Sequence, residues 1–167
     1  MNMKTYKIVK NASKLRNPCE TCDTAEEGER IGIILKAMLE KSKGAIGLAA
    51  NQVGIQKKVC LINVKKPILL INPEITGKFD KFLYKEGCLS FPGEYIITER
   101  YKNIMIKADN HKETLQFSSD TPEDMLECAC VQHEIDHLNG LLMFDRSPPL
   151  AQLGAADLLI RGLKNGK

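Results

Sequence analysis

The sequence has no uninterrupted apolar stretch of membrane-spanning length, no internal repeat and no low-complexity tract or linker. A transmembrane helix needs about 20 consecutive apolar residues, so we expect none here. The first six residues, Met-Asn-Met-Lys-Thr-Tyr, form neither the apolar run of a signal peptide nor the Arg- and Ser-rich pattern of a transit peptide. Because six cysteines occur without a secretory signal, we expect free thiols, a cytoplasmic location and no membrane partner.

Clusters of basic and aromatic residues are also absent. The formal net charge is +3, but the lysines are interspersed with Glu and Asp, as Lys65, Lys66, Lys78, Lys81 and Lys85 illustrate. This mixture is typical of a solvated surface, so we expect no specific nucleic-acid partner. A chain of 167 residues is long enough for one compact core and too short for two ordinary domains. We therefore predict a single domain.

Two helices are predicted where capping signals precede apolar residues at helical spacing. Thr24 and Glu27 form a capping-box pattern, and Gly44 is placed to end the helix that follows. Asp120-Thr121-Pro122 supplies a capping residue and a proline at the first helical position, and Gly140 marks the end of this second helix. A weaker helix is expected in the leucine-rich tail, residues 147–167.

Between the two helices, short segments bounded by Pro, Gly or Asn are predicted to be strands. They are Val59–Val64, Ile68–Asn72, Tyr95–Thr98, Ile104–Ala108 and Thr114–Phe117. An order of helix, strands and helix is typical of the α+β class and not of a repeating β-α pattern. His111 falls in a predicted hairpin turn, where we expect an exposed side chain.

The segment His133-Glu134-Ile135-Asp136-His137 is the most informative of the sequence. Two His four residues apart on a helix project from one face, so both imidazoles can bind the same metal ion. Glu134 is then placed to accept a proton from a water on that ion without being a ligand. A solvated helix face can produce the same pattern by chance, but two of the three His in the chain lie here on a capped helix. The pattern favours a metal site.

The same helical motif occurs in zinc metallopeptidases, so the third ligand distinguishes the alternatives. No Glu or His follows His137, and Met143 stands where one peptidase class has its third His. Cys88, in Glu86-Gly87-Cys88-Leu89-Ser90, is a candidate because a thiolate and two imidazoles leave a tetrahedral ion one open position. A lone cysteine is more often a buried core thiol. A purely structural zinc is a further alternative, and the residues alone leave all of these open.

Three segments together resemble the signature motifs of the peptide deformylase family: Ile46-Gly47-Leu48-Ala49-Ala50-Asn51-Gln52, Glu86-Gly87-Cys88-Leu89-Ser90 and the stretch Gln132–Gly140. They occur in the family's order and at its spacing, and the resemblance is strongest over residues 5–146. It implies an α+β fold in which short antiparallel strands and sheets pack around a central helix carrying the HExxH motif. It also implies a metal-dependent hydrolase that removes the formyl group from the N-terminal formyl-methionine of newly made polypeptides, releasing formate.

The resemblance further implies one divalent metal ion, natively Fe(II) and replaceable by Zn, Ni or Co. Its ligands would be Cys88, His133 and His137. Glu134 would act as the general base and then as the acid that protonates the departing amine. Gln52 and the backbone N–H of Leu89 would hydrogen-bond the oxygen that becomes negative in the transition state. The implied partners are N-formylated nascent polypeptides, in proximity to the ribosome.

The sequence departs from the family at one position of the first motif, and it also contains one weak cysteine motif. The family's first motif begins Gly-x-Gly, with both glycines close to the bound peptide. Here Ala45 replaces the first glycine and Gly47 retains the second. Cys19 and Cys22 form a lone C-x-x-C pair without a second half-site, which favours incidental thiols over a zinc or redox site.

An apolar pocket for the methionine side chain is predicted beside the metal. Positions i−3, i−4 and i−7 relative to His133 share the metal-facing side of the helix. A residue of the first motif is expected to form another wall. The four pocket residues are Leu126, Ala129, Cys130 and Ile46.

Overall fold

The structure is a computed structural model that describes residues 5–149. Within that range the helices are α1 (Ala12–Leu15), α2 (Ala25–Lys41) and α3 (Pro122–Leu138). The strands are β1 (Gly47–Ala49), β2 (Val59–Asn63), β3 (Pro67–Ile71), β4 (Glu74–Cys88), β5 (Phe91–Lys107) and β6 (Leu115–Phe117). Short 3₁₀ turns cover Ala50–Val53 and Met143–Arg146. The predicted helix of the leucine-rich tail lies outside the described residues.

The strands form two antiparallel three-stranded sheets, in the orders β1-β2-β3 and β4-β5-β6. Separate helices and antiparallel sheets confirm the predicted α+β class. Between residues 5 and 149, no helix combines the length and the apolar character needed to cross a membrane.

Helix α2 begins as predicted but ends earlier. Thr24 is the N-cap and accepts a hydrogen bond from the Glu27 N–H at 3.1 Å. The capping box is only half formed, because the Glu27 carboxylate bonds the N–H of Asp23 at 2.9 Å instead of that of Thr24. The helix is closed by the Ser42 N–H, which bonds a carbonyl of the last turn, and Gly44 lies two residues further on. Its buried face packs on the first sheet through Ile31, Leu35 and Leu39.

Both ends of helix α3 are confirmed. Thr121 caps the helix and forms a capping box with Asp124, and Pro122 occupies the first helical position. Past the C-terminus, Gly140 adopts a φ of 75°, a conformation that favours glycine. A Cβ at this position would also lie 2.4 Å from the Arg16 carbonyl oxygen. The sequence therefore places the start and the end of this helix correctly.

Helix α3 lies between the two sheets. A single core cluster joins Ile62 of β2, Ile104 of β5 and Ile135 of α3. Packed on both sides in this way, the helix is buried at every residue from 127 to 138, a range that includes the HEIDH segment. The polar groups of that segment are therefore held away from bulk water, where electrostatic interactions are strong.

The strand predictions need correction in the middle of the chain. The predicted strands Tyr95–Thr98 and Ile104–Ala108 belong to one continuous strand, β5, and its partner β4 was not predicted at all. The pairing with β4 continues across the polar stretch between them, where Arg100 bonds buried carboxylates. His111 does lie in the turn between β5 and β6, but it is half-buried and its Nε2 lies 2.9 Å from the Leu69 carbonyl oxygen. The expectation that it is exposed is wrong.

Candidate metal centre

Three ligand atoms meet between the end of β4 and helix α3. The Cys88 Sγ lies 3.2 Å from the His137 Nε2, which in turn lies 3.1 Å from the His133 Nε2. All three atoms lie within 4.8 Å of one another. Thiolate and imidazole are the donors that borderline transition ions such as iron and zinc accept, so this donor set fits the divalent ion that the resemblance implies.

Local backbone structure brings the thiol and the imidazoles together. The two His are one turn apart on α3 and share a face. The pairing of β4 with β5 shifts register between Gly87 and Cys88, immediately before the two-residue turn Leu89-Ser90. Such an irregularity redirects the side chain that follows, and here it coincides with the point where the strand reaches the helix.

Burial keeps one imidazole neutral. His137 is 1% exposed, and burial, together with the positive charges of His133 and Arg100, holds the pKa of its ring well below the usual value. A neutral imidazole is the form that binds a metal ion. The end of the helix is fixed by Asn51, whose Nδ2 donates to the His137 carbonyl at 2.7 Å. Asn51 belongs to the first motif, so this hydrogen bond joins the first motif to the histidine helix.

A buried charge network, not predicted from the sequence, lies beside His133. The Glu86 Oε1 lies 3.6 Å from the His133 Nδ1. Arg100 is 2% exposed and bonds Glu86 through Nε at 3.2 Å and Nη2 at 2.5 Å, while its Nη1 bonds Asp136 at 2.5 Å. Arg146 adds two bonds to Asp136. Glu86 lies two residues before Cys88, and Asp136 immediately precedes His137. This proximity to the predicted ligands is the sequence signal that could have identified the two carboxylates.

The electrostatics of this network favour an ionised Glu86. Burial acts to raise the pKa of the Glu86 carboxyl, but His133 and Arg100 outweigh it and bring the pKa below its usual value. In the same way burial acts to lower the pKa of His133, and the neighbouring Cys88 thiol and Glu86 carboxylate raise it well above the usual value. A carboxylate on the second ring nitrogen is the arrangement that orients a metal-binding His.

Glu134 is buried beside the ligand atoms. It is 4% exposed, and its Oε2 has no hydrogen-bond partner among the residues that the structure describes. Burial raises the pKa of this carboxyl to about 7. A group with that pKa can both take up and release a proton near neutral pH, as a general acid–base catalyst must.

Gln52 is fixed by three hydrogen bonds. Its Oε1 accepts from the Ala49 N–H at 3.0 Å, and its Nε2 lies 3.2 Å from the Ser90 Oγ and 3.4 Å from the Cys88 Sγ. The side chain is 1% exposed. Since the Ala49 N–H fixes which end of the amide is the acceptor, the donor end must face the Cys88–Ser90 segment.

A cleft of about 440 Å³ opens beside these groups. All but one of the residues predicted to form the site line it: Ile46, Gly47, Gln52, Cys88, Leu89, Leu126, Ala129, Cys130, His133 and Glu134. His137 is buried and does not line the cleft. Tyr84 and Tyr95 also line the cleft but were not predicted, because β4 carried no recognisable strand signal and Tyr95 was assigned only to a strand.

The remaining cysteines do not join this centre. Cys19 and Cys22 are buried in different core clusters, and all six cysteines are free. The thiols of Cys128 and Cys130 point apart, toward the Tyr101 and Ile46 carbonyl oxygens respectively. In residues 5–149, the Cys88 group is the one cluster with the spacing of a metal site.

A thiol and two imidazoles around one point, a buried carboxylate that is not among them and an open cleft are the parts of a metal-dependent hydrolase. The family model described as polypeptide deformylase matches residues 5–152 of this chain. The chain therefore belongs to the polypeptide deformylase family.

Individual relatives agree with this assignment. A peptide deformylase of Bartonella tribocorum is 37% identical over 166 residues, which span 94% of this chain and 86% of that protein. The crystal structure of peptide deformylase from Thermotoga maritima superposes with a TM-score of 0.73 and 32% identity, covering 88% of this chain and 100% of that one. A Synechococcus elongatus peptide deformylase in complex with actinonin gives a TM-score of 0.72 and 32% identity over 97% and 88% of the two chains.

The chain is thus a metal-dependent hydrolase that removes the formyl group from N-terminal formyl-methionine. The zinc metallopeptidase alternative is not favoured, since the family match and the Cys88 thiol beside both His identify a different hydrolase.

Proposed function

We propose that Cys88, His133 and His137 hold the divalent ion and that Glu134, Gln52 and Leu89 carry out deformylation around it. The observation that carries this proposal is the convergence of the three ligand atoms within 4.8 Å, beside a buried carboxylate and at the wall of an open cleft. When bound, the ion supplies a lowered pKa for water and polarisation of the formyl carbonyl group.

Glu134 moves the proton in this proposal. Its carboxylate takes a proton from the water that attacks the formyl carbon. It then gives the proton to the amine nitrogen as the carbon–nitrogen bond breaks, so that formate and a free amino terminus leave. A carboxyl with a pKa of about 7 is suited to both steps.

Gln52 and Leu89 stabilise the negative oxygen. The Leu89 N–H lies in the turn after Cys88, and the Gln52 Nε2 faces the same turn. Gln52 is held by its bond from Ala49, so its amide is already oriented before charge develops. Because Gln52 also bonds the Cys88 thiol and Ser90, its amide must share or exchange one of these bonds during the reaction.

The methionine side chain of the substrate lies in the part of the cleft next to α3. Leu126, Ala129 and Cys130 form its helix wall, and Ile46 and Gly47 of the first motif form the wall nearest the substrate backbone. An unbranched thioether suits a narrow apolar slot, because it is flexible and polarizable.

The native ion is proposed to be Fe(II), with Zn, Ni or Co as ions that the same donors accept. Thiolate and Fe(II) are both oxidisable, so activity should decay in air and persist under anaerobic, reducing handling. Elemental analysis of protein purified without added metal, alongside formate release before and after exposure to air, tests the assignment. Fully active protein that contains zinc or nickel and no iron would contradict it.

We further propose that residues 1–167 act as a single catalytic domain in the cytoplasm, on nascent polypeptides close to the ribosome. The six free cysteines are consistent with a reducing compartment. Formate release from a formyl-methionyl peptide, beside a blocked peptide that reports internal cleavage, tests the reaction. Internal cleavage without formate release would contradict the proposed function.

A further inference from the structure

Tyr84 lines the cleft, and the proposed chemistry makes no use of it. It lies two residues before Glu86 on β4, so both side chains are on the same face of the strand. Glu86 reaches the ring of His133. The face of β4 that carries Tyr84 is therefore the face directed at helix α3.

The turn of α3 that lies beside Tyr84 follows from the spacing of residues along the strand and along the helix. A step of two residues along a strand is about 6.7 Å, and one helical turn is about 5.4 Å. With Glu86 beside His133, Tyr84 therefore lies beside the preceding turn of α3, which carries Ala129 and Cys130. Electrostatic contact agrees with this placement, because Cys130 and Glu86 both contribute to the raised pKa of Tyr84.

The hydroxyl of Tyr84 is free to contact a ligand. No residue in the described range, 5–149, forms a hydrogen bond with it, and burial raises the pKa of the phenol, so it remains a donor at neutral pH. The ring is held in place by an edge contact with Phe82, with ring centroids 5.8 Å apart. The Thr98 hydroxyl donates to the Tyr84 carbonyl at 3.2 Å and fixes the backbone.

We propose that Tyr84 is a specificity-determining residue whose hydroxyl donates a hydrogen bond to the sulfur of the substrate's methionine. The inference rests on the proposed function, in which this part of the cleft takes the first side chain. Leu126, Ala129 and Ile46 supply only apolar side-chain contacts, and the Cys130 thiol is directed at the Ile46 carbonyl at 3.6 Å. An apolar slot cannot distinguish methionine from norleucine, which has a methylene in place of sulfur; a hydroxyl can, because a thioether is a weak acceptor.

The test compares formyl-methionyl and formyl-norleucyl peptides of otherwise identical sequence. The wild-type ratio of kcat/KM should favour methionine about two- to fivefold, as expected for one hydrogen bond to a weak acceptor. Tyr84→Phe should bring the ratio close to one, mainly through loss of activity on formyl-methionine. Tyr101→Phe removes a hydroxyl outside the cleft, where the ring lies beneath Lys78, and should keep the wild-type ratio.

Formyl-methionine sulfoxide provides a second measurement, because its oxygen is a stronger acceptor than a thioether sulfur. Tyr84→Phe should therefore lower kcat/KM for this substrate by a larger factor than for formyl-methionine. An unchanged methionine-to-norleucine ratio in Tyr84→Phe, or an equal loss on both substrates, would overturn the inference. Neither result would affect the proposed function, which fails only if the wild-type protein releases no formate from formyl-methionine.

Discussion

Gly47 and Glu134 lie so close together that no side chain fits between their two elements. A Cβ at residue 47 would lie 2.7 Å from the Glu134 Oε1 and 2.6 Å from the Cys130 Sγ. Gly47 opens β1, whereas the other two residues belong to α3. The absence of a side chain at residue 47 therefore lets the first motif pack directly against the carboxylate proposed as the base.

Gly47→Ala should displace Glu134 and leave the metal ligands in place. We expect kcat to fall by about a hundredfold, because a shift of about 1 Å in a catalytic group can cost that much, while metal content stays at the wild-type level. The double variant Gly47→Ala/Cys130→Ala relieves the contact with sulfur but not the contact with the carboxylate, so it should remain impaired. Full recovery in the double variant would show that the thiol, and not Glu134, is the critical contact.

Variants of the proposed metal ligands and of the proposed base should behave differently. Cys88→Ala, His133→Ala and His137→Ala should release the metal and abolish activity. Glu134→Ala should retain the metal and lose catalysis, since it removes a proton acceptor and not a ligand. Metal analysis of dialysed protein, measured beside formate release, separates the classes. Equal metal loss in all four variants would contradict the assignment.

Gln52→Leu should lower kcat by about 10²–10³ with a smaller change in KM, because a donor to the negative oxygen acts mainly in the transition state. Gln52→Glu should be similarly impaired. Ser90→Ala is the matched comparison: it removes one partner of the amide but leaves the bond from Ala49, and should lose much less activity. If Gln52→Leu changes only KM, Gln52 is a binding residue.

Ala129→Phe should fill the pocket beside α3. We expect it to block methionine-sized side chains, so that discrimination between formyl-methionine and formyl-glycine collapses while metal content is unchanged. Each methylene in an apolar pocket is worth about 1–3 kcal/mol, so the wild-type preference should be large. Initial rates on the two peptides measure it. A variant that keeps the wild-type preference would place the pocket elsewhere.

Arg100→Met should strongly destabilise the fold. It leaves the buried carboxylates of Glu86 and Asp136 without their shared partner, and breaking such a pair typically costs about 3–5 kcal/mol. Arg30→Met is the control: its ion pair with Glu26 is exposed, and the change should be within about 1 kcal/mol. Urea unfolding followed by circular dichroism compares the two. Equal stability of both variants would mean that the network adds little.

Helix α3 was predictable because its signals are local. Thr121, Pro122 and Gly140 act within one turn of the helix ends, and the residues between them follow helical spacing. Strand β4 lacked such signals. It pairs with β5 in a long ribbon, and most of its residues are exposed or half-buried. The strand is therefore defined by backbone pairing with a distant segment, which a local sequence pattern does not reveal.

The functional site, too, was predictable from the sequence only in part. The two His of α3 were recognisable from spacing alone, whereas Cys88, read alone, resembles any core thiol. The resemblance of its motif to a known family was needed to nominate it, and the structure brings it within 3.2 Å of His137. Arg100 could not have been found, since its partners, Glu86 and Asp136, are 14 and 36 residues away in the chain.

The proposed ligands come from two structural units that are far apart in the sequence. Cys88 belongs to the sheet β4-β5-β6, and His137, on α3, lies 49 residues further along. An ion held by both would act as a reversible cross-link that closes this long loop, and its binding free energy would become part of the free energy of folding. Chelation would then loosen the β4–β5 turn from the helix, so that amide hydrogens at the rim of the cleft would exchange faster. The rigidity of the substrate groove would thus depend on whether the metal site is filled.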